Sequence, residues 1–170
     1  MRLYEPSVLD QIVLALIAEK PRHGFAVSKE LETDPSLSAV IRARRPLVYR
    51  SINSLVDAKL IRETKTEPGD QGSPRVIYAA TATGKSTTTK WLNDTVNHPR
   101  DARIELLAKF VLRNRRNLTN QQLAKRQKKL FENQAAKLQV SANLATDDVR
   151  LVSLWRVENI NAMIRLLEAV

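Results

Sequence analysis

The sequence predicts a mainly α-helical chain with one small β-hairpin, made of a compact first part and a second part of long helices. Three observations predict this. All seven Pro and all four Gly lie within the first 99 of the 170 residues. From Arg100 to Val170 there is neither, and these two residue types are the strongest breakers of regular structure. Within the first part, apolar residues recur every three to four positions, except in two short β-branched runs that flank a Gly/Pro loop. The expected division is 1–96 and 97–170, with the boundary near Asn97–Pro99.

The first predicted helix is Ser7 to Ala18, where Val8, Leu9, Ile12, Val13, Leu16 and Ile17 make one broad apolar face. Pro6 precedes it, where a missing N–H costs least. Pro21-Arg22-His23-Gly24 breaks the chain, and Phe25 to Leu31 is a second helix, with Phe25, Ala26, Val27 and Leu31 as its apolar positions. Asp34-Pro35 ends it, and Ser36 to Ala43 is a short helix. Pro46 opens the next, to Lys59. At about 100° per residue, Val48, Ile52, Leu55 and Val56 share one face. The opposite face holds Leu47, Arg50, Asn53, Ser54 and Asp57, with Tyr49 on the flank and Arg42, Arg44 and Arg45 just upstream. The hairpin follows: Ile61–Thr66, the loop Pro68–Pro74, and Arg75–Ala79. Thr81 caps a helix to about Thr95, with Trp91 and Leu92 on its packed side.

Three main helices, with a short turn or helix before the third, followed by a hairpin are the layout of a winged helix-turn-helix. A helix fits the roughly 12 Å major groove of DNA. A polar hairpin beside it can touch phosphate or the minor groove.

The second part reads as an antiparallel helical domain. Asp101 to Asn117 carries Ile104, Leu107 and Val111 on one line, joined by Leu106 and Phe110. Thr119 caps a helix to about Ala145, with Leu123, Leu130, Phe131, Leu138 and Ala142 apolar. Asp147 caps the last, whose line is Val152, Trp155, Asn159, Ala162, Met163, Leu166 and Val170. Long helices with narrow stripes need partners, either each other or a second chain. Val152, Trp155, Met163 and Leu166 are therefore the candidate dimerisation residues.

Composition narrows the chemistry. The chain carries 28 Lys+Arg against 18 Asp+Glu, net +10, which suits a polyanionic partner. The charge is uneven: net +3 over residues 1–95 and +7 over 96–170. Nucleic-acid binding by the first part must rest on a local patch. Hydrophobic residues make up 43%, enough for a core. There is no Cys, which excludes disulfides, thiolate metal sites and a thiol nucleophile. The longest apolar run, Ile12 to Ala18, is far short of a bilayer span, and Met1 to Asp10 lacks the layout of a secretory signal. A soluble, cytoplasmic protein with no membrane partner is expected.

Several residues fit direct contact with double-stranded DNA. Arg50 and Asn53 suit base edges, Arg preferring guanine and Asn adenine, with Ser54 beside them. Arg44, Arg45, Tyr49, Lys65, Gln71, Ser73 and Arg75 suit phosphates, and the N–H groups at Gly24 sit where a helix start could meet one. The plainer alternative for each is a solvated face, a polar loop or an ordinary turn. Gly84-Lys85-Ser86 mimics the end of a phosphate-binding loop, but that motif needs Gly at position 79, where Ala79 stands. Two turn-borne His without Cys make no metal site, no cofactor motif is present, and no catalytic constellation is visible. The basic clusters Arg113–Arg116 and Lys125–Lys129 read as solvated faces.

These residues resemble the PadR family of transcriptional regulators. Leu14-Ala15-Leu16-Ile17 and Pro21-Arg22-His23-Gly24-Phe25 resemble the family's first helix and turn. Val48 to Leu55, ending in Leu60-Ile61, resembles its recognition helix, and Gly72 to Tyr78 its wing strand. Thr81 to Lys85 with Trp91-Leu92 is similar to its linker helix, and Arg103 to Leu112 to the start of its C-terminal domain. The stretch Thr33 to Arg45 is longer than usual in the family. The resemblance implies a non-enzymatic, homodimeric bacterial repressor on a palindromic operator, responsive to a small aromatic or drug-like effector. It carries over no ligand residues. The competing reading is a winged-helix module that binds protein or RNA without reading DNA sequence, for which the +7 second part is the best support.

Overall fold

The computed structural model describes residues 4–68 and 74–170. The chain divides into two compact units, 1–93 and 94–170.

The first unit runs α1 (Val8–Glu19), β1 (Arg22–His23), α2 (Gly24–Thr33), α3 (Pro35–Val40), α4 (Arg45–Asp57), β2 (Ile61–Glu67), β3 (Arg75–Ala80) and α5 (Ala82–Asn93). Helix α1 is buried on every side from Asp10 to Ile17, not on one face only. It packs against α4, α5 and β3, which is why Leu14 and Ala15 are as buried as Ile12 and Leu16. Its start is a capping box. Asp10 N–H donates to Ser7 Oγ at 3.2 Å, and Ser7 N–H donates to Asp10 Oδ2 at 2.9 Å.

The hairpin is part of a three-stranded antiparallel sheet, order β1-β3-β2. The third strand is the Pro21–Gly24 break, in which Arg22 pairs with Tyr78 and His23 with Ile77. Two residues carry no periodicity, so this strand was not visible in the sequence. Buried Arg22 forms ion pairs with Glu30 and, at 3.6 Å, with Glu19. Strand β2 pairs with β3 from Ile61↔Ala80 to Glu67↔Arg75, with a register shift between Glu63 and Lys65.

Gly84 holds α5 close to the end of α4. A Cβ there would stand 2.0 Å from the Leu60 carbonyl oxygen. That packing accounts for the glycine in Gly84-Lys85-Ser86. Thr81 joins the same corner, its hydroxyl donating to the Lys59 and Leu60 carbonyls at 2.9 and 3.1 Å and accepting from Gly84 N–H at 3.0 Å.

The second unit holds α6 (Pro99–Asp101), one π-helical turn (Ala102–Leu106), α7 (Leu107–Asn114), α8 (Gln121–Leu144) and α9 (Asp147–Glu168). The sequence predicts a single helix over 101–117, and the π turn divides it. The two-residue connection 145–146 folds α8 and α9 into an antiparallel pair. Their core joins Leu123, Ala124 and Phe131 to Ile160 and Leu167, together with Val96, Leu106 and Phe110. Gln127, fully buried, clamps the Val96 peptide, accepting from its N–H at 2.7 Å and donating to its carbonyl at 2.9 Å.

The basic residues here are less uniformly solvated than the sequence suggests. Lys109 is 1% exposed, paired with Glu105 at 2.8 Å and donating to the Asp94 carbonyl at 2.8 Å. Arg113 is buried and closes the α7–α8 corner on the Thr119 carbonyl and Asn120 Oδ1. Burial, then the neighbouring Arg126 charge, pulls its pKa down. Lys128 pairs with Glu168 at 2.8 Å.

Candidate nucleic-acid interface

Helix α4 is amphipathic as its spacing predicts. Val48, Ile52 and Leu55 are fully buried with Ser51 beside them, and Leu47, Tyr49, Arg50 and Asn53 are exposed. Ser54 is half-buried. Arg44 occupies the N-cap and Arg45 the first helical position, with no side-chain cap and no acidic residue in the first turn. Two cations at the positive end of a helix dipole work against the helix. An anion bound there would relieve both the charge and the open N–H groups.

The exposed face of α4 has two flanks. On one, Arg50 and Ser54 border a hollow of about 260 Å³ shared with Ser7, Leu9 and Asp10 at the start of α1. On the other, Tyr49 borders a hollow of about 170 Å³ with Gly24, Phe25, Arg75 and Tyr78. Gly24 makes that approach possible, since a Cβ would lie 2.8 Å from Tyr49 Cε1 and 2.9 Å from Ile52 Cδ1. Gly24 is itself buried, and the first turn of α2 is capped by His23, whose Nδ1 accepts from Ala26 N–H at 3.0 Å. Burial of Tyr78, followed by the charge of Glu63 and then Tyr49, pushes its hydroxyl pKa up.

The structure therefore gathers Arg45, Tyr49 and Arg75 on one flank and places Arg50 and Ser54 on the other, with Asn53 on the open face. Arg44 and Arg45 also line a groove of about 770 Å³ with Arg42, Ser28 and Ser38. On the wing, Lys65 is paired with Glu67 at 2.6 Å. The hydrogen bond and charge from Lys65, with a smaller contribution from His23, hold the Glu67 carboxyl below its ordinary value. Gln71 and Ser73 lie outside the described residues.

Phe25 is the residue that sequence reasoning placed wrongly. It reads as an apolar core position of α2, yet it is 36% exposed. Its ring lies against two guanidiniums, Arg45 with Cζ 4.7 Å from the ring centroid and Arg75 at 5.9 Å, and it stacks with the His23 ring at 6.2 Å. Its place in the first turn of α2, before the apolar stripe begins at Val27, was the available signal.

The dimerisation candidates lie on α9, which carries two apolar lines. Val157, Ile160 and Leu167 are buried, with Met163 and Ile164 packed against the same core. Val152, Trp155 and Leu166 are exposed, roughly 125° away round the helix. The line read from the sequence is mostly this outward one; of its four candidates, only Met163 reaches the core.

Helices α1, α2 and α4, a sheet-borne wing and the exposed, arginine-headed face of α4 define a winged-helix fold. Residues 13–90 match the Transcriptional regulator PadR-like family. The match covers most of this winged-helix unit, which is thereby similar to a family of transcriptional regulators. Among solved structures it is similar to Bacillus subtilis PadR in complex with operator DNA, with 19% identity, TM-score 0.50 and 96% of each chain covered. It is also similar to a Streptococcus mutans UA159 protein, at 18% identity and TM-score 0.45, covering 94% of this chain and 96% of that one. No curated protein matches the sequence. Among the described residues, no helix is long and apolar enough to cross a membrane.

Proposed function

We propose that this protein is a homodimeric repressor that reads a palindromic DNA operator through α4. The observation that carries the reading is α4 itself: buried along Val48, Ile52 and Leu55, open along Tyr49, Arg50 and Asn53, and headed by Arg44 and Arg45 at its positive end. Arg50 and Asn53 read base edges, with Ser54 beside them. Arg44, Arg45, Tyr49, Lys65 and Arg75 hold phosphates, with the wing residues Gln71 and Ser73 alongside. The operator-bound state of the similar Bacillus subtilis protein supports DNA as the partner.

Dimerisation is supported by the outward line of α9, where Val152, Trp155 and Leu166 are exposed. A twofold dimer sets two copies of α4 roughly 34–36 Å apart, one turn of DNA. Residues 94–170 act as the dimerisation domain and 1–93 as the reading domain. Repression follows from occupancy of promoter DNA. A small aromatic or drug-like effector, which the family resemblance supports, acts by binding one dimer geometry better than the other.

Selection of bound duplexes from a random pool tests the reading. The expected product is an inverted repeat with half-sites about 10 bp apart. A pool that stays random through successive rounds would defeat it. Arg50→Ala is expected to relax preference at one half-site position, costing about 1–3 kcal/mol on the selected duplex and little on others. Equal losses on all duplexes would remove Arg50 from base reading.

A further inference from the structure

We propose that Phe25 is a positioning residue that gathers Arg45 and Arg75 into a clamp for one DNA backbone phosphate, fixing the wing to the head of α4. The inference rests on the DNA-binding reading and adds a residue that neither the family match nor the sequence assigned.

The geometry is specific. Arg45 is the first residue of α4, and Arg75 is the first residue of β3, thirty positions later. Both guanidiniums nonetheless lie within 6 Å of one ring, at 4.7 and 5.9 Å from its centroid. The face of an aromatic ring attracts cations at such distances. Two guanidiniums drawn to one ring repel each other, and an anion between them removes the repulsion while accepting hydrogen bonds from both. Phosphate, with several acceptor oxygens, matches that planar, many-donor geometry. Phe25 also stacks with His23, whose Nδ1 caps α2, so the ring is set by the helix start. The surrounding hollow is open to solvent-borne ligand and lined by Tyr49 and Tyr78 as well as Arg75.

An alternative role for an exposed phenyl ring is plain packing. The two roles differ in what replaces the ring. Phe25→Leu keeps the apolar volume and removes the π face, whereas Phe25→Tyr keeps the face. The test uses the full-length protein, the duplex obtained by selection and a scrambled duplex, with affinities taken over a range of salt. Phe25→Leu is expected to weaken binding to both duplexes by about 5–30-fold and to lower the slope of log affinity against log salt by about 1 to 2. Phe25→Tyr is expected to bind within about twofold of the wild type. In an Arg45→Ala/Arg75→Ala background, Phe25→Leu is expected to cost nothing further.

Wild-type affinity and slope in Phe25→Leu would overturn the clamp. So would an equal loss from Phe25→Leu in the double-alanine background, which would make Phe25 a direct contact or a scaffold residue. Side-chain NMR of labelled arginine guards against a folding artefact. Arg45 and Arg75 resonances should carry ring-current shifts that vanish in Phe25→Leu, and shifts that persist would contradict the geometry. If the wild type binds all duplexes alike, sequence reading falls while the clamp is still judged on those duplexes, because a phosphate contact is sequence-independent. If it binds none, both fall.

Discussion

In the winged-helix unit, every side chain of α1 from Ile12 to Ile17 is sealed inside, and the exposed residues of α4 are led by arginines and polar groups. In the helical unit, the hairpin of α8 and α9 buries Ala142, Val157 and Ile160 but leaves many apolar groups open. Near its turn, Leu144 is 80% exposed, Trp155 65%, and Val149 and Leu151 are open as well. The first unit presents a mostly polar, cationic face along α4. The second has the surface of something that meets another apolar surface, since exposed aliphatic and aromatic groups of this number on one hairpin mark an interaction site. On the proposed reading, the first unit supplies the DNA contacts and the second supplies valency.

The largest expected effect breaks the second half of that comparison. Trp155→Glu places a charge on the outward line of α9, and sedimentation should show a monomer where the wild type is a dimer. Operator affinity should fall by about 10²-fold or more as the second reading unit is lost, with the melting of residues 1–93 unchanged. A Trp155→Glu protein that remains dimeric would place the interface elsewhere.

The next effect breaks the first half. Gly84→Ala forces a Cβ against the Leu60 carbonyl oxygen and should cost about 1–3 kcal/mol in denaturant unfolding of the first unit, leaving dimerisation intact. An unchanged midpoint would show that α5 shifts freely.

A smaller effect sharpens the picture of how α1 supports the reading helix. Burial opposes ionisation of Asp10, but hydrogen bonds from Ser51 of α4, from Ser7 and from Tyr4 outweigh it and lower its pKa. Burial of Tyr4, then its bond to Asp10 Oδ2 at 2.9 Å, pushes the phenol pKa up. A depressed carboxylate pKa stabilises the fold above its unfolded value near 3.8, and that stability is lost as pH falls through the folded value. Melting temperature should therefore be flat in this respect above about pH 5 and drop below about pH 4. Asp10→Ala should remove about 0.5–2 kcal/mol at neutral pH and flatten the acid limb. An acid limb unchanged in Asp10→Ala would assign it to other carboxylates.

Much of the fold was legible because helices with clean apolar periodicity announce themselves. The α4 stripe came from spacing and its start, one residue before Pro46, from the proline, with Thr81 as a capping residue from its chemistry. What was not legible depends on partners distant in sequence. Strand β1 is two residues long and exists because Tyr78 and Ile77 lie beside it. Phe25 looks like core until Arg45 and Arg75 are seen against it. The buried line of α9 and its outward line have similar composition, and only α8 decides which is which. Lys109 and Arg113 look like surface cations, yet their partners are a backbone carbonyl and a helix corner that sequence cannot place. Of the candidate DNA contacts, the α4 residues were found by helical geometry, whereas the coupling between α4 and the wing was not, because it runs through a ring on a third element.

Fluorescence anisotropy of wild-type protein on the selected duplex and on its scrambled counterpart, at about 150 mM salt, tests the central claim most directly. A two-armed reader should prefer its site by about 10³-fold or more and saturate at two chains per duplex. Equal affinities with a steep salt dependence would contradict it, leaving a basic surface that binds DNA as a polyelectrolyte.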